Sequence, residues 1–94
     1  MADLPTPGTV PARGITVRVR RFRGKTLIAS NGTALEMDDV GAFIFDRVDG
    51  STSIGDIAHA LAREYEVSEA VASEDCIEFV ASLITAGIFT VQMP

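Results

Sequence analysis

Few side chains in this 94-residue chain could run a reaction, and a structural role accounts for each of them first. His59 is the single histidine. It has no second histidine or cysteine near it in sequence, so the ligand set of a zinc site is missing. It also falls where the apolar stripe of its helix is interrupted, which predicts a surface histidine. Cys76, the single cysteine, lies on an apolar helical stripe, where a thiol behaves as a small hydrophobe. A nucleophile would need a base beside it and some exposure. Asp38-Asp39, Glu64 with Glu66, and Glu74-Asp75 sit near expected helix ends. Capping and solvation explain them before general acid–base work does. Gly50-Ser51-Thr52-Ser53 has neither the glycine spacing nor the lysine of a phosphate-binding loop. No Asp-Ser-Leu opens a helix, as a phosphopantetheine carrier would require. The expected class is a non-enzyme that uses no cofactor and no metal.

The question then becomes what the elements around these residues hold. Ninety-four residues allow one modest core, and 47% hydrophobic content argues against disorder. No apolar run approaches the roughly 18 residues that span a bilayer, and Met1 to Pro11 shows no secretory pattern. With a lone cysteine this predicts a cytoplasmic protein without a membrane partner. Charge is split along the chain. Residues 1–25 carry six basic side chains against one aspartate, whereas residues 26–94 carry two arginines against twelve carboxylates. An acidic body of that kind repels phosphates, so no nucleic-acid partner is expected.

Pro5, Pro7, Gly8 and Pro11 mark residues 1–12 as a flexible arm before a folded domain at 13–94. Alternation of Ile15, Val17 and Val19 with Thr16, Arg18 and Arg20 predicts a half-buried strand. Arg23-Gly24 can turn the chain into a second strand at 26–30. Asn31-Gly32 suits a type I′ hairpin turn, and a third strand at 33–37 follows, with Thr33, Leu35 and Met37 on one face. Asp38 can cap a first helix with Val40, Phe43, Ile44 and Val48 inward, stopped by Asp49-Gly50. Ser53 caps a second helix with Ile54, Ile57, Ala58, Leu61 and Tyr65 inward. Ser68 caps a third whose stripe is Val71, Ala72, Cys76, Phe79, Val80, Leu83 and Ile84, ended by Gly87. Ile88 to Val91 adds a short extended piece. The expected class is α+β, winged-helix-like: a three-stranded antiparallel sheet followed by a three-helix bundle.

That order leaves the third strand unpaired on one side, exposing a row of backbone donors and acceptors. With the third helix alongside, strand and helix would form a groove that an extended peptide enters as a fourth strand. Ser73, Ile77, Val80 and Ile84 are candidates to line it.

The ordered set Leu35-Glu36-Met37-Asp38, Gly41, Ile44-Phe45, Asp49-Gly50, Ile54, Ile57-Ala58, Leu61, Tyr65, Val71, Asp75, Phe79-Val80, Leu83 and Gly87-Ile88-Phe89 resembles the PqqD-like family. The resemblance runs from about Pro11 to Phe89. It departs at Asp38, where an asparagine is usual, and at Arg47, where an aliphatic residue is common. It implies a chaperone that binds the leader of a ribosomally made precursor peptide and presents it to a modifying enzyme, often a radical S-adenosylmethionine (SAM) maturase. It further implies that Thr33, Ala34, Leu35, Glu36 and Met37 supply backbone pairing, with Ser73, Cys76, Ile77, Val80 and Ile84 as the side-chain wall. Glu36, Glu74 and Glu78 near that groove should disfavour a strongly acidic peptide. Two other readings stand beside this one. A winged-helix regulator needs a basic recognition helix, which 68–86 lacks. A generic interaction domain would form a homodimer through the exposed edge or the arm.

Overall fold

The computed structural model describes residues 4–30 and 32–91. Its elements are β1 (Pro11–Arg13), β2 (Arg18–Phe22), β3 (Lys25–Ser30), β4 (Thr33–Met37), α1 (Asp39–Asp46), α2 (Ile54–Tyr65), α3 (Glu69–Thr85) and β5 (Phe89–Val91). Strands β2, β3 and β4 form the expected antiparallel meander in that order, and three helices follow. A second, two-stranded ribbon joins β1 to β5. Among the described residues no helix is long and apolar enough to cross a membrane.

The first hairpin closes through Arg23 and Gly24, with φ near +51° and +77°, between the paired residues Phe22 and Lys25. Two successive positive φ values are what a two-residue turn between right-twisted strands requires. In the second hairpin Ser30 pairs with Thr33 and Gly32 has φ near +82°. Asn31, the other half of the expected Asn-Gly turn, lies outside the described residues. Alternation then sets the faces: Thr26, Ile28 and Ser30 are buried on β3, and Met37 on β4.

The first strand departs from expectation. All five residues of β2 are exposed, and Ile15, expected inward, is wholly so. The chain turns at Gly14–Val17, where the Val17 N–H donates to the Gly14 carbonyl, so the Ile15/Val17/Val19 alternation never becomes one strand. Only Val17 packs partly against the core.

The arm is also not loose where the structure describes it. Pro11, Ala12 and Arg13 pair with Val91, Thr90 and Phe89. Upstream, the carbonyls of Pro7 and Thr9 accept from the Gly55 and Ile54 amides, and that of Pro11 from Gly50. The first amides of a helix have no partner within it, so α2 takes its acceptors from this segment. Gly55 permits the approach: a Cβ there would lie 3.2 Å from the Pro7 oxygen.

The caps follow the sequence. Asp38, Ser53 and Ser68 each accept a backbone amide in the first turn of α1, α2 and α3. Gly87, with φ near +79°, ends α3: its amide donates to Ile84 and that of Ile88 to Leu83, a Schellman closure. Helix α1 stops at Asp46, earlier than expected, which lets Val48 leave the helix and enter the core. Gly50, expected as its stop, instead donates to Pro11. Tyr65 and Val71, assigned to buried stripes, stand half-exposed at the adjoining ends of α2 and α3. The core joins Ile28, Ile44, Phe45, Ile54, Leu61, Cys76, Val80 and Phe89. Phe89 stacks on Phe45 with centroids 5.7 Å apart and meets Phe79 edge-on at 6.1 Å.

Candidate functional site

Strand β4 is paired on one side only. Its register with β3 runs from Thr26 opposite Met37 to Ser30 opposite Thr33. No described strand lies along its other side, where alternate backbone N–H and C=O groups face outward. Ala34 and Glu36 point away from the helices and are exposed, while Thr33 and Leu35 are half-buried toward them.

Beside this edge the structure is concave. One cavity of about 410 Å³ is lined by Leu35, Glu36, Met37, Asp38, Phe79, Ser82 and Leu83. A second, of about 460 Å³, is lined by Asp38, Val40, Gly41, Ile44, Asp75, Glu78, Phe79 and Ser82. Asp38, Phe79 and Ser82 belong to both, so the two cavities form one groove that runs past the end of β4 toward the start of α1. Its floor is apolar, with Phe79 at its centre. Gly41 brings α1 close to that ring, for a Cβ there would lie 3.0 Å from Phe79 Cε1 and 3.3 Å from Met37 Sδ.

The expected wall is redrawn. The strand residues Thr33 to Met37 form the predicted edge, and Leu35, Glu36 and Met37 line the groove. On α3, Cys76 and Val80 are fully buried in the core. Ser73, Ile77 and Ile84 line neither cavity beside β4, and Ile77 and Ile84 pack against the core from elsewhere. At about 100° per residue, these three lie on the opposite flank of α3 from Asp75, Phe79 and Ser82. Glu74 is exposed and lines neither cavity; Asp75 and Asp38 join Glu78 in its place. The i, i+4, i+7 spacing of Asp75, Phe79 and Ser82 marks a flank in the sequence. Choosing it over its opposite requires knowing from which side β4 approaches.

The groove is negative. Asp38, Asp75 and Glu78 form no ion pair among the described residues, and no lysine or arginine lines either cavity. Glu36 lies 3.6 Å from Lys25. One Asp38 oxygen, Oδ1, accepts the Gly41 amide at 2.7 Å and so occupies the N-terminus of α1.

The candidate thiol and imidazole line neither cavity of the groove. Burial, reinforced by the charge of Asp75, pushes the Cys76 thiol up to about 11, which keeps it neutral and unreactive. His59 is exposed and pairs with Glu69 at the start of α3. Among the described residues no cluster of His, Cys, Asp or Glu suits a metal ion. Four of the seven arginines lie on or next to β2 at the far edge of the sheet, where Arg21 pairs with Asp46 at 2.7 Å and Arg18, Arg20 and Arg23 make no ion pair among the described residues.

Comparison with known proteins gives one consistent picture. The family model for Coenzyme PQQ synthesis protein D (PqqD) matches residues 15–88. A PqqA binding protein from Xanthomonas oryzae pv. oryzae is 29% identical over 70 residues, covering 74% of this chain and 76% of the relative. The solution NMR structure of the PqqD truncation of Methylobacterium extorquens PqqCD, a stand-alone RiPP recognition element, superimposes with a TM-score of 0.74. Its identity is 24%, with 86% of this chain and 88% of that one covered. A lasso peptide synthetase B1 complexed with the leader peptide superimposes with a TM-score of 0.78 at 24% identity, covering 86% of this chain and 98% of that one. The two structures establish the fold.

Proposed function

This chain belongs to the PqqD family, and we propose that it is a non-catalytic recognition module for the leader of a ribosomally made precursor peptide. The leader adds to β4 as a fourth strand, and the chain presents it to a modifying enzyme of the radical SAM class. The observation that carries this reading is the free β4 edge beside an apolar-floored groove. An added strand gains main-chain hydrogen bonds along Thr33–Met37, and every second side chain points into the groove toward Met37, Phe79 and Ser82. Main-chain pairing supplies affinity without sequence information, so selectivity falls to the groove. Two further facts support the reading: a similar chain is named a PqqA binding protein, and a protein of the same fold is known with a leader peptide bound.

The test is a backbone amide NMR titration with a synthetic PqqA peptide from Xanthomonas oryzae. Shifts concentrated in Thr33–Met37 and in Asp75–Leu83, with a dissociation constant of about 1 μM or below, equivalent to roughly −8 kcal/mol, are expected. Shifts confined to Arg18–Arg23 would place the site on the other edge of the sheet and end the strand-addition reading.

A further inference from the structure

We infer that the groove selects a leader segment carrying a lysine or arginine at the position that faces the cavity beyond Met37. This inference rests on the strand-addition reading above. Three carboxylates, from Asp38, Asp75 and Glu78, ring that cavity, and none has a cationic partner among the described residues. Between them lie apolar surfaces of Val40 and Phe79. A long basic side chain matches both features: its methylene stem lies along the apolar floor while its charged head reaches the carboxylates at the rim. An acidic residue at the same position would meet three like charges. The start of α1 offers it no relief, because the Asp38 carboxylate already holds the Gly41 amide there. A nucleic acid fails for the same reason, which leaves a basic peptide as the occupant that the charge favours.

The test is mRNA-display selection from a random twelve-residue peptide library on the full 94-residue chain, repeated on the Asp75→Asn/Glu78→Gln variant. Both side chains are exposed, so the variant keeps its fold. The wild type is expected to enrich lysine or arginine at one position. Replacing that residue by alanine should weaken binding about fivefold, the scale of a partly exposed ion pair, and glutamate should weaken it further. In the variant, which keeps only the Asp38 carboxylate in the cavity, the preference should fall sharply while neutral peptides still bind, and in 0.5 M salt it should shrink, as screening at about 4 Å demands. Enrichment of neutral or acidic peptides, or an unchanged basic preference in the variant, would overturn the inference and leave strand addition standing. Selected peptides that bind without shifting the Thr33–Met37 amides would overturn both. Dimers that a selected peptide disperses equally well whether it is basic or neutral would assign the groove to a second copy of the chain and overturn it too.

Discussion

The two edges of the three-stranded sheet are built on opposite plans. Strand β2 is exposed along its whole length and carries Arg18, Arg20 and Arg21. Charge on an edge strand discourages another strand from pairing with it. Strand β4 alternates half-buried with exposed residues and has a groove at its side. One sheet thus protects one edge and leaves the other open. In a domain this small, that asymmetry leaves a single edge open to the strand addition proposed above, and the groove proposed to supply selectivity lies beside it.

Removing the aromatic floor should break this asymmetry most. Phe79→Ala is expected to weaken leader binding about thirtyfold, near the 2 kcal/mol of an interface hot spot, whereas Arg20→Ala should leave it unchanged. Calorimetric titration of both variants checks this, and a larger loss for Arg20→Ala would reverse the roles of the edges. Gly41→Ala comes next. Alanine normally improves a helix by up to about 1 kcal/mol over glycine. Here the new methyl would press on Phe79 at 3.0 Å and on Asp38 at 3.2 Å. A net loss of about 1 kcal/mol, or roughly 4–8 °C in Tm for a domain of this size, is expected; a rise in Tm would show that the ring moves aside freely. Asp38→Ala should cost a similar ~1 kcal/mol by uncapping α1, while Asp38→Asn keeps the cap within a few tenths. Chemical denaturation separates the pair. The smallest effect belongs to the protected edge: Arg21→Ala removes an exposed ion pair with Asp46 and should change stability by about 0.5 kcal/mol or less.

Local signals made much of this fold legible. Asp38, Ser53 and Ser68 announced their helices because a cap is decided within four residues, and Gly87 announced the end of α3 for the same reason. The β4 edge was legible from its alternation and from the helix that follows it. Non-local choices were not. Pro11–Arg13 pairs with Phe89–Val91 across almost the whole chain, and nothing in a proline-rich segment reveals that its carbonyls will serve α2. Ile15, Val17 and Val19 satisfy a strand pattern that the turn at Gly14 interrupts. On α3 the apolar stripe identified the core side, with Cys76 and Val80 at its centre. The stripe has two flanks, however. Ser73, Ile77 and Ile84 lie on one, and Asp75, Phe79 and Ser82 on the other. Which of them β4 meets depends on the handedness of the path through α1 and α2, and helical periodicity carries no record of it.

The β1–β5 ribbon also fixes how the domain bears load. Because Pro11 lies opposite Val91, tension applied through the two ends of the domain pulls the ribbon apart from one side. Its residue pairs are stressed in succession rather than together, as in a zipper and not as in a sheared seam. Unzipping draws on the segment whose carbonyls serve Gly50, Ile54 and Gly55. A pull on the ends therefore reaches the start of α2 through the same segment, while β4 lies in the separate three-stranded sheet.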